Sequence, residues 1–199
     1  MVYVPKEYWE KRSGKYLRWE GLKSLRHIVN APLVDWILKR ELRRIGPQSL
    51  LEVGCGPGRL FGFYRDVPRV CAVDFSSSML ERARENVLSR GLRHIELGEM
   101  PCQDLRFEED DFDLVMTVTV LIHIPPAEVD RAIEELVRVS CKHIIVVEGS
   151  YSGGSPGTRS AEHVFFHDYR ALFCRAGAYL IRSTRIPFLN QECMVFYKV

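Results

Sequence analysis

The chain has 199 residues, of which 46% are hydrophobic and 27% are charged, and its formal net charge is +2. These values are typical of one soluble globular domain with a substantial core. No apolar run approaches the ~20 residues that a transmembrane helix needs. The first residues also lack the apolar core of a secretory signal, so we expect a cytoplasmic protein with no membrane partner.

The six cysteines are scattered along the chain and include no C-x-x-C pair. Zinc sites and disulfide frameworks depend on closely spaced or regularly paired cysteines. The sequence therefore predicts no metal site, and the cysteines are expected to act as small buried hydrophobic residues.

The charges are distributed unevenly. Residues 1–46 carry eleven Lys or Arg against five Asp or Glu, whereas the remainder carries 17 against 21. Such asymmetry can mark a surface for nucleic acid or an acidic partner. It is equally typical of the solvated face of amphipathic helices, because the charges alternate with large apolar residues. Charge alone leaves both interpretations open.

Residues 5–46 have the periodicity of two or three helices. A break is predicted at the Asn-Ala-Pro sequence of residues 30–32, because proline is favoured at the first position of a helix. Gly46 and Pro47 should end the segment, since glycine favours the C-terminal cap and proline cannot continue a helix.

A glycine-rich turn comes next. The apolar run 49–53 leads into Gly54, Gly56 and Gly58, and a helical pattern resumes over 59–65. Glycine has no Cβ and accepts positive φ, so such a turn lets the backbone approach a ligand closely. The N–H groups of the helix predicted over 59–65 would point at the same place.

The spacing of the glycines argues against a dinucleotide. A dinucleotide turn reads G-x-G-x-x-G/A, whose third small residue lets the helix pack close to the strand. Counted from Gly54 and Gly56, that position falls on Arg59. The pattern from Glu52 is instead E-x-G-x-G-x-G, with the third glycine, Gly58, one place earlier.

Apolar runs alternate with helical patterns along the rest of the chain, which favours a parallel, doubly wound α/β sheet with ligands beyond the carboxyl ends of its strands. Strands are predicted near 49–53, 69–73, 94–97, 112–118 and 143–148, and helices near 59–65, 76–90, 126–139 and 168–176. Ser76 is the predicted N-cap of the second of these helices. Asp74 ends the second strand, where such folds place the acid that accepts the ribose hydroxyls.

These segments match one family in order. The matching motifs are the turn at 52–58, the carboxylate at Asp74, the Gly-Glu-Met sequence at 98–100, the Asp-Phe-Asp-Leu-Val sequence at 111–115 and the Val-Leu-Ile-His-Ile sequence at 120–124. They cover roughly residues 48–148. In these motifs the chain resembles the class I S-adenosylmethionine-dependent methyltransferases.

The resemblance implies a Rossmann-like, mostly parallel sheet of seven strands. Its last strand would be antiparallel and would form a hairpin from the runs 179–186 and 193–198. The N-terminal helices would cover the cofactor as a lid. One domain is expected over 1–199, in which 1–46 is the lid segment, 47–148 the cofactor-binding core and 149–199 the substrate loop and hairpin.

The resemblance also implies S-adenosylmethionine as the cofactor. Asp74 would bind the ribose, Phe75 and Met79 would pack against the adenine, and Glu99 with Met100 would meet the adenine edge. The complete set expected at the cofactor is Glu52, Gly54, Cys55, Gly56, Gly58, Asp74, Phe75, Met79, Glu99, Met100, Thr117 and Arg12.

Methyl transfer to an O–H or N–H group also requires that a proton be taken up, and histidine has a suitable pKa for this. The candidate catalytic residues lie at the carboxyl ends of predicted strands or in the loops after them. They are His123, His167 and Glu148, and His163 is a further candidate for the same role. Each also fits a structural role: His123 as lining of the cofactor pocket, His167 as part of a helix cap, and Glu148 as a hydrogen-bond acceptor for a loop.

The methyl acceptor is expected to be a small molecule. The chain lacks the Asn-Pro-Pro-Tyr or Asp-Pro-Pro-Tyr sequence that holds a planar amino group, and residues 117–124 resemble the branch of the family that acts on small molecules. Oxygen is the favoured acceptor atom. Two alternatives stay open: a methyltransferase for nucleic acid or protein that uses the basic N-terminal segment, and a subunit that binds S-adenosylmethionine without catalysis. The sequence does not predict the oligomeric state.

Overall fold

The computed structural model describes residues 6–10, 25–149, 159–161, 163–186 and 190–199, and within them the chain is an α/β fold. Its strands are β1 (Ser49–Val53), β2 (Arg69–Asp74), β3 (Ile95–Glu99), β4 (Phe112–Val118), β5 (Ser140–Gly149), β6 (Arg159–Ala161), β7 (Val164–Phe165), β8 (Ala178–Ile186) and β9 (Gln191–Lys198). Its helices are α1 (Leu25–Ile45), α2 (Ser77–Ser89), α3 (Val129–Val139) and α4 (Tyr169–Arg175), and residues 6–10 are also helical.

Seven of these strands form one sheet in the order β3-β2-β1-β4-β5-β9-β8. β1 to β5 are parallel, whereas β9 is antiparallel to both β5 and β8. The predicted doubly wound sheet with an antiparallel last strand is therefore confirmed. The strand order reverses between β1 and β4, and sheets of this kind bind ligands in the crevice outside the carboxyl ends at that point.

Helices cover both faces of the sheet. α1 and α2 contribute to one apolar layer with strand residues such as Leu50, and α3 and α4 contribute to the other with residues such as Leu51. Consecutive strand residues point to opposite faces, which is why this sheet needs apolar residues at nearly every position of β1. None of the helices in the described part of the chain is long and apolar enough to cross a bilayer.

Two helices begin where the sequence predicted. The Ser76 side chain accepts a hydrogen bond from the Met79 N–H at 3.4 Å, as the N-cap of α2. Asp168 does the same for α4, accepting from the Ala171 N–H at 3.1 Å. A third element was not predicted: β6 and β7 pair as a separate two-stranded hairpin within the segment assigned to the substrate loop.

The predicted helix break at residues 30–32 is wrong, because α1 runs through Pro32 without interruption. Proline keeps a helical φ, but its missing N–H removes one hydrogen bond and its ring crowds the carbonyl group four residues earlier. The residues that follow, among them Ile37 and Leu38, pack into the core. Burial of this stripe offsets the lost bond and keeps the helix continuous.

The predicted helix over 59–65 is also wrong: only a 3₁₀ turn, Phe61–Phe63, follows the glycine-rich segment. Gly58 has a φ of +83°, which a helix does not accommodate. Phe61 and Tyr64 are both fully buried, and their spacing of three places them on one side of a 3₁₀ turn. Tertiary packing of these two rings therefore sets the conformation, and residues 59–65 do not supply the helix N-terminus that the sequence predicted beside the glycine turn.

Replacing Pro32 with alanine should stabilise the protein. Alanine restores a backbone N–H within α1 and removes the steric clash of the ring, so we expect the free energy of unfolding to rise by about 1–3 kcal/mol. Urea unfolding followed by circular dichroism measures the change. Arg43→Ala, at an exposed position of the same helix, should change the value by less than about 0.5 kcal/mol. Destabilisation by Pro32→Ala would contradict a continuous α1.

Candidate functional site

The turn after β1 is formed by three glycines in the left-handed region, with φ values of +74° at Gly54, +53° at Gly56 and +83° at Gly58. A Cβ on Gly54 would lie 2.3 Å from the Val120 side chain, and one on Gly58 would lie 2.4 Å from the Phe61 ring. No heavy atom lies within 4 Å of the corresponding position at Gly56. Two of the glycines are thus required by packing, and the third leaves open space at the turn.

Asp74, at the end of β2, is buried and binds the glycine turn directly. Its Oδ2 accepts a hydrogen bond from the Gly56 N–H at 2.8 Å, and its Oδ1 accepts one from the Ser76 N–H at 2.9 Å. Burial raises the pKa of Asp74, while these backbone N–H donors lower it. A carboxylate has about four acceptor positions, so the group retains capacity for the hydroxyls of a ribose.

Asn86 supports the turn from the opposite side. Its side-chain amide donates hydrogen bonds from α2 to the carbonyl oxygens of Pro57, at 3.1 Å, and Gly58, at 2.9 Å. The sequence interpretation missed this residue. Its spacing of three from buried Ala83 is the available signal, because it places Asn86 on the inward side of α2.

Beneath the turn lies a buried pair, Glu52 and Tyr64. Burial raises the pKa of Glu52 to about 8, although the Tyr64 hydroxyl and the positive charge of Arg59 lower it. Within the described residues, Glu52 Oε2 and the Tyr64 hydroxyl lack a hydrogen bond of good geometry. Tyr64 was not predicted as a site residue, because only the fold places it next to Glu52.

The residues expected around the adenine lie along the same edge of the sheet. The Met100 N–H donates to the Asp74 carbonyl at 3.1 Å, so the end of β3 is held against the end of β2. Met79 is buried, Phe75 is half-buried and Glu99 is exposed. Two further members of the predicted set are buried, Cys55 in the turn and Thr117 in β4, and the Thr117 hydroxyl has no partner among the described residues.

The turn after β4 carries His123 and is bound to buried Glu148. Glu148 Oε1 accepts hydrogen bonds from the N–H groups of Val120 and Leu121, both at 2.8 Å, and Oε2 accepts one from Ile122 at 3.4 Å. Burial raises the pKa of Glu148 to about 8, and these three donors lower it. Both carboxylate oxygens are therefore occupied by backbone, an arrangement that fits the support of a loop better than proton transfer.

His123 lies in a group of rings. Its Nδ1 is 2.7 Å from the His163 carbonyl, and since a carbonyl can only accept, this nitrogen carries the proton. The Trp9 ring meets His123 edge-on with centroids 4.8 Å apart, and the His163 ring stacks on it at 5.3 Å. The Tyr8 hydroxyl lies 2.9 Å from His163 Nδ1. The fold thus brings two of the three candidate histidines together.

The third candidate, His167, lies apart from these rings and is buried. Its Nε2–H donates to the Ile124 carbonyl at 2.9 Å, just after the turn that carries His123. Burial lowers the pKa of His167, and its backbone hydrogen bonds raise it. His167 therefore joins the start of α4 to the turn through a hydrogen bond, and this arrangement fits a structural role better than contact with a substrate.

Residues 6–10 lie across the carboxyl ends of the strands. Lys6 Nζ is 3.4 Å from Glu99 Oε1 at the end of β3, and the Ser77 hydroxyl donates to Glu10 Oε1 at 3.4 Å. With the contact of Trp9 to His123, the segment reaches from β3 to the turn after β4. Arg12, predicted at the cofactor, lies outside the described residues.

Comparison with known proteins agrees with this geometry. Residues 50–142 match the family model for a methyltransferase domain. The chain is 37% identical over 94 residues to a phosphatidylethanolamine N-methyltransferase from Cereibacter sphaeroides, covering 47% of this chain and 45% of the relative. It is 30% identical over 126 residues to a ubiquinone biosynthesis O-methyltransferase from Yersinia pestis, covering 61% and 52%. These similarities support a class I S-adenosylmethionine-dependent methyltransferase over residues 50–142.

The similarity of the fold to a solved structure extends beyond residues 50–142. The magnesium protoporphyrin IX methyltransferase from Synechocystis PCC 6803 with bound SAH is 16% identical, and it aligns over 98% of both chains with a TM-score of 0.79. At 16% sequence identity, this similarity shows the fold alone. The chain spans about half the length of the two curated relatives named above, 45% and 52%.

Gly54→Ala should destabilise the methyltransferase domain by several kcal/mol. The added methyl would overlap Val120, at 2.3 Å, in a backbone conformation that alanine disfavours. Gly56→Ala is the matched control, because it adds the strain of a positive φ without the overlap and should cost about 1–2 kcal/mol. Adding Val120→Ala to Gly54→Ala should recover part of the loss. Equal losses in urea unfolding for the two glycine variants would show that the overlap is unimportant.

Stability should fall as the pH rises from about 5 to about 8. Glu52 and Glu148 both have a pKa raised from 4.5 to about 8 in the folded chain, so the folded state holds protons that the unfolded state releases over this range. Each group contributes at most about 1.4 kcal/mol per pH unit. Glu52→Gln removes one contribution and should make the pH dependence of the urea midpoint shallower. A slope that is unchanged in this variant would contradict the assignment.

Proposed function

We propose that the chain transfers a methyl group from S-adenosylmethionine to a hydroxyl oxygen of a small molecule. The observation that carries the proposal is the arrangement at the reversal of strand order. The glycine turn with Asp74 lies on one side of it, and the group of rings around His123 lies on the other. Donor and acceptor positions then meet between β1 and β4.

On the cofactor side, Asp74 would accept hydrogen bonds from the ribose hydroxyls, and the open space at Gly56 suits the close approach of a ligand. Phe75 and Met79 would enclose the adenine, with Glu99 and the backbone of Met100 at its edge. Buried Glu52, which has an oxygen without a partner among the described residues, would offer a polar group beneath the bound cofactor. S-adenosylmethionine supplies a methyl group on a sulfonium that is already activated for in-line displacement.

On the acceptor side, His123 would take the proton of the attacking hydroxyl. The hydrogen bond from Nδ1 to the His163 carbonyl leaves the lone pair of the neutral ring on Nε2. Tyr8, Trp9 and the His163 ring would enclose the acceptor and exclude water. A base of this kind contributes roughly 10²–10⁴-fold, and alignment contributes further.

A small acceptor is supported by the named relatives, one of which methylates oxygen and the other nitrogen according to their names. The basic segment gives less support to a nucleic acid. Within α1, Arg40 and Arg44 form ion pairs with buried Glu41, and Lys39 lies over the Phe63 ring. These charges are engaged in the fold, which favours the amphipathic-helix interpretation of the excess charge.

Calorimetric titration tests the cofactor first. The protein should bind S-adenosylmethionine at micromolar concentration and should not bind NAD, and Asp74→Ala should weaken the binding at least tenfold.

Incubation with methyl-labelled S-adenosylmethionine and a panel of phenols, carboxylic acids, amines, RNA and peptides then identifies the acceptor. Transfer only to RNA or peptides, or binding without transfer to any acceptor, would overturn the proposal.

His123→Gln should lower turnover by roughly 10²-fold or more while leaving the affinity for S-adenosylmethionine within about threefold, because the ring acts on the acceptor. His143→Gln is the matched control: His143 lies at the start of β5, at the opposite edge of the sheet, against Tyr197. Loss of turnover in the control alone, or equal loss in both variants, would argue against His123 as the base.

A further inference from the structure

The backbone after β4 is strained at one residue. Thr119 has a φ of +55°, and it is one of three non-glycine residues with positive φ in the described part of the chain. A β-branched residue in this region is a genuine outlier that costs about 1–2 kcal/mol. Such strain persists only where the surrounding structure enforces it, and it often marks a functional position.

Glu148 enforces this conformation from the neighbouring strand. The Thr119 N–H donates to the Val147 carbonyl at 2.8 Å, and the next three N–H groups in the chain all donate to the Glu148 carboxylate. Glu148 has no exposed surface. Four consecutive backbone donors are therefore fixed by two consecutive residues of β5, and the chain reverses into the 3₁₀ turn Leu121–His123.

We propose that Glu148 is a positioning residue: its carboxylate, held at the end of β5, shapes the turn after β4 and thereby fixes the place of His123 relative to the methyl donor. The kinetic part of this inference rests on the proposed function. Glu148 does not itself contact the acceptor, because both of its oxygens are bound to backbone N–H groups.

A carboxylate meets the demands of this position better than an amide does. Two oxygens that both accept can bind three N–H donors, whereas a glutamine of the same size offers one acceptor and an N–H₂ group that would face backbone donors. Burial raises the pKa of Glu148 to about 8, so the carboxylate form that accepts from all three donors is favoured as the pH rises.

The turn that Glu148 shapes also touches the cofactor loop. Val120, whose N–H is bound by Glu148, packs its side chain over Gly54. His123, at the other end of the turn, is held by the His163 carbonyl. One turn therefore contacts the donor side at its first residue and the acceptor side at its last, so its shape sets the distance between them.

Glu148→Gln tests the inference. We expect the amide protons of residues 120–122 to exchange at least tenfold faster and the ring signals of His123 to shift in nuclear magnetic resonance spectra. Turnover should fall at least tenfold, since small misplacements of reacting groups are costly. The affinity for S-adenosylmethionine should fall less than threefold, because Asp74 and Asn86 hold the glycine turn independently. The pH at which turnover is half-maximal should move with the altered surroundings of His123.

Glu41→Gln is the control, because Glu41 is equally buried, lies in α1 and is bound by Arg182. It should lower stability without changing amide exchange at 120–122, the His123 signals or turnover. If Glu148→Gln does not fold, amide exchange in the wild-type protein decides: unprotected amides at 120–122 would overturn the inference. So would a Glu148→Gln protein with unchanged exchange and His123 signals.

These spectral measurements need no methyl acceptor. A wild-type protein that binds S-adenosylmethionine but methylates nothing would remove the proposed function. The effect of Glu148 on the turn would still be decided by exchange and by the His123 signals.

Discussion

Loops at the carboxyl edge of a parallel sheet have backbone N–H groups that the strands cannot satisfy, and this constraint shapes the whole site. The structure meets it twice in the same way. Asp74 at the end of β2 accepts the Gly56 N–H of the turn after β1. Glu148 at the end of β5 accepts three N–H groups of the turn after β4. In each case a carboxylate on one strand binds the loop of the adjacent strand, on either side of the reversal in strand order. Because unpaired buried donors are costly, these acids fix both loops, and they therefore fix the two sides of the site.

Features that depend on short-range pattern were predictable from the sequence. The alternation of apolar runs and helical patterns predicted the parallel sheet, and the spacing of the glycines predicted the turn after β1. Ser76 predicted the start of α2. Features that depend on distant packing were not. The 3₁₀ turn over Phe61–Phe63 follows from where two aromatic rings are buried, and the continuity of α1 through Pro32 follows from its apolar contacts. The contact of Asn86 with the glycine turn joins residues that are 28 and 29 apart, so the local pattern indicates only that Asn86 faces inward and does not predict its partner.

For the candidate residues of the site, the residue type was likewise predictable from the sequence, whereas the contacts of each side chain were not. Histidine and carboxylate types at strand ends were identifiable from their chemistry, but their partners decide what each can do. Glu148 lies among backbone donors, His167 and His123 each lie against a backbone carbonyl, and His123 in addition lies among rings. The sequence ranks these three residues alike because each combines a titratable group with an apolar neighbourhood. The contacts of each group, which only the fold shows, distinguish a carboxylate bound to a loop from a histidine ring that lies among other rings.

The two sides of the site are joined by contacts as well as by proximity. Val120 fills the space over Gly54 from one loop to the other, and residues 6–10 contact Glu99 and Ser77 on the donor side and His123 on the acceptor side. Packed contacts transmit small displacements because interiors are dense and resist compression. A shift of the glycine turn on cofactor binding would therefore move Val120, whose N–H is held by Glu148, and with it the turn that carries His123. The buried carboxylate limits that motion, because three consecutive N–H groups of the turn donate to it.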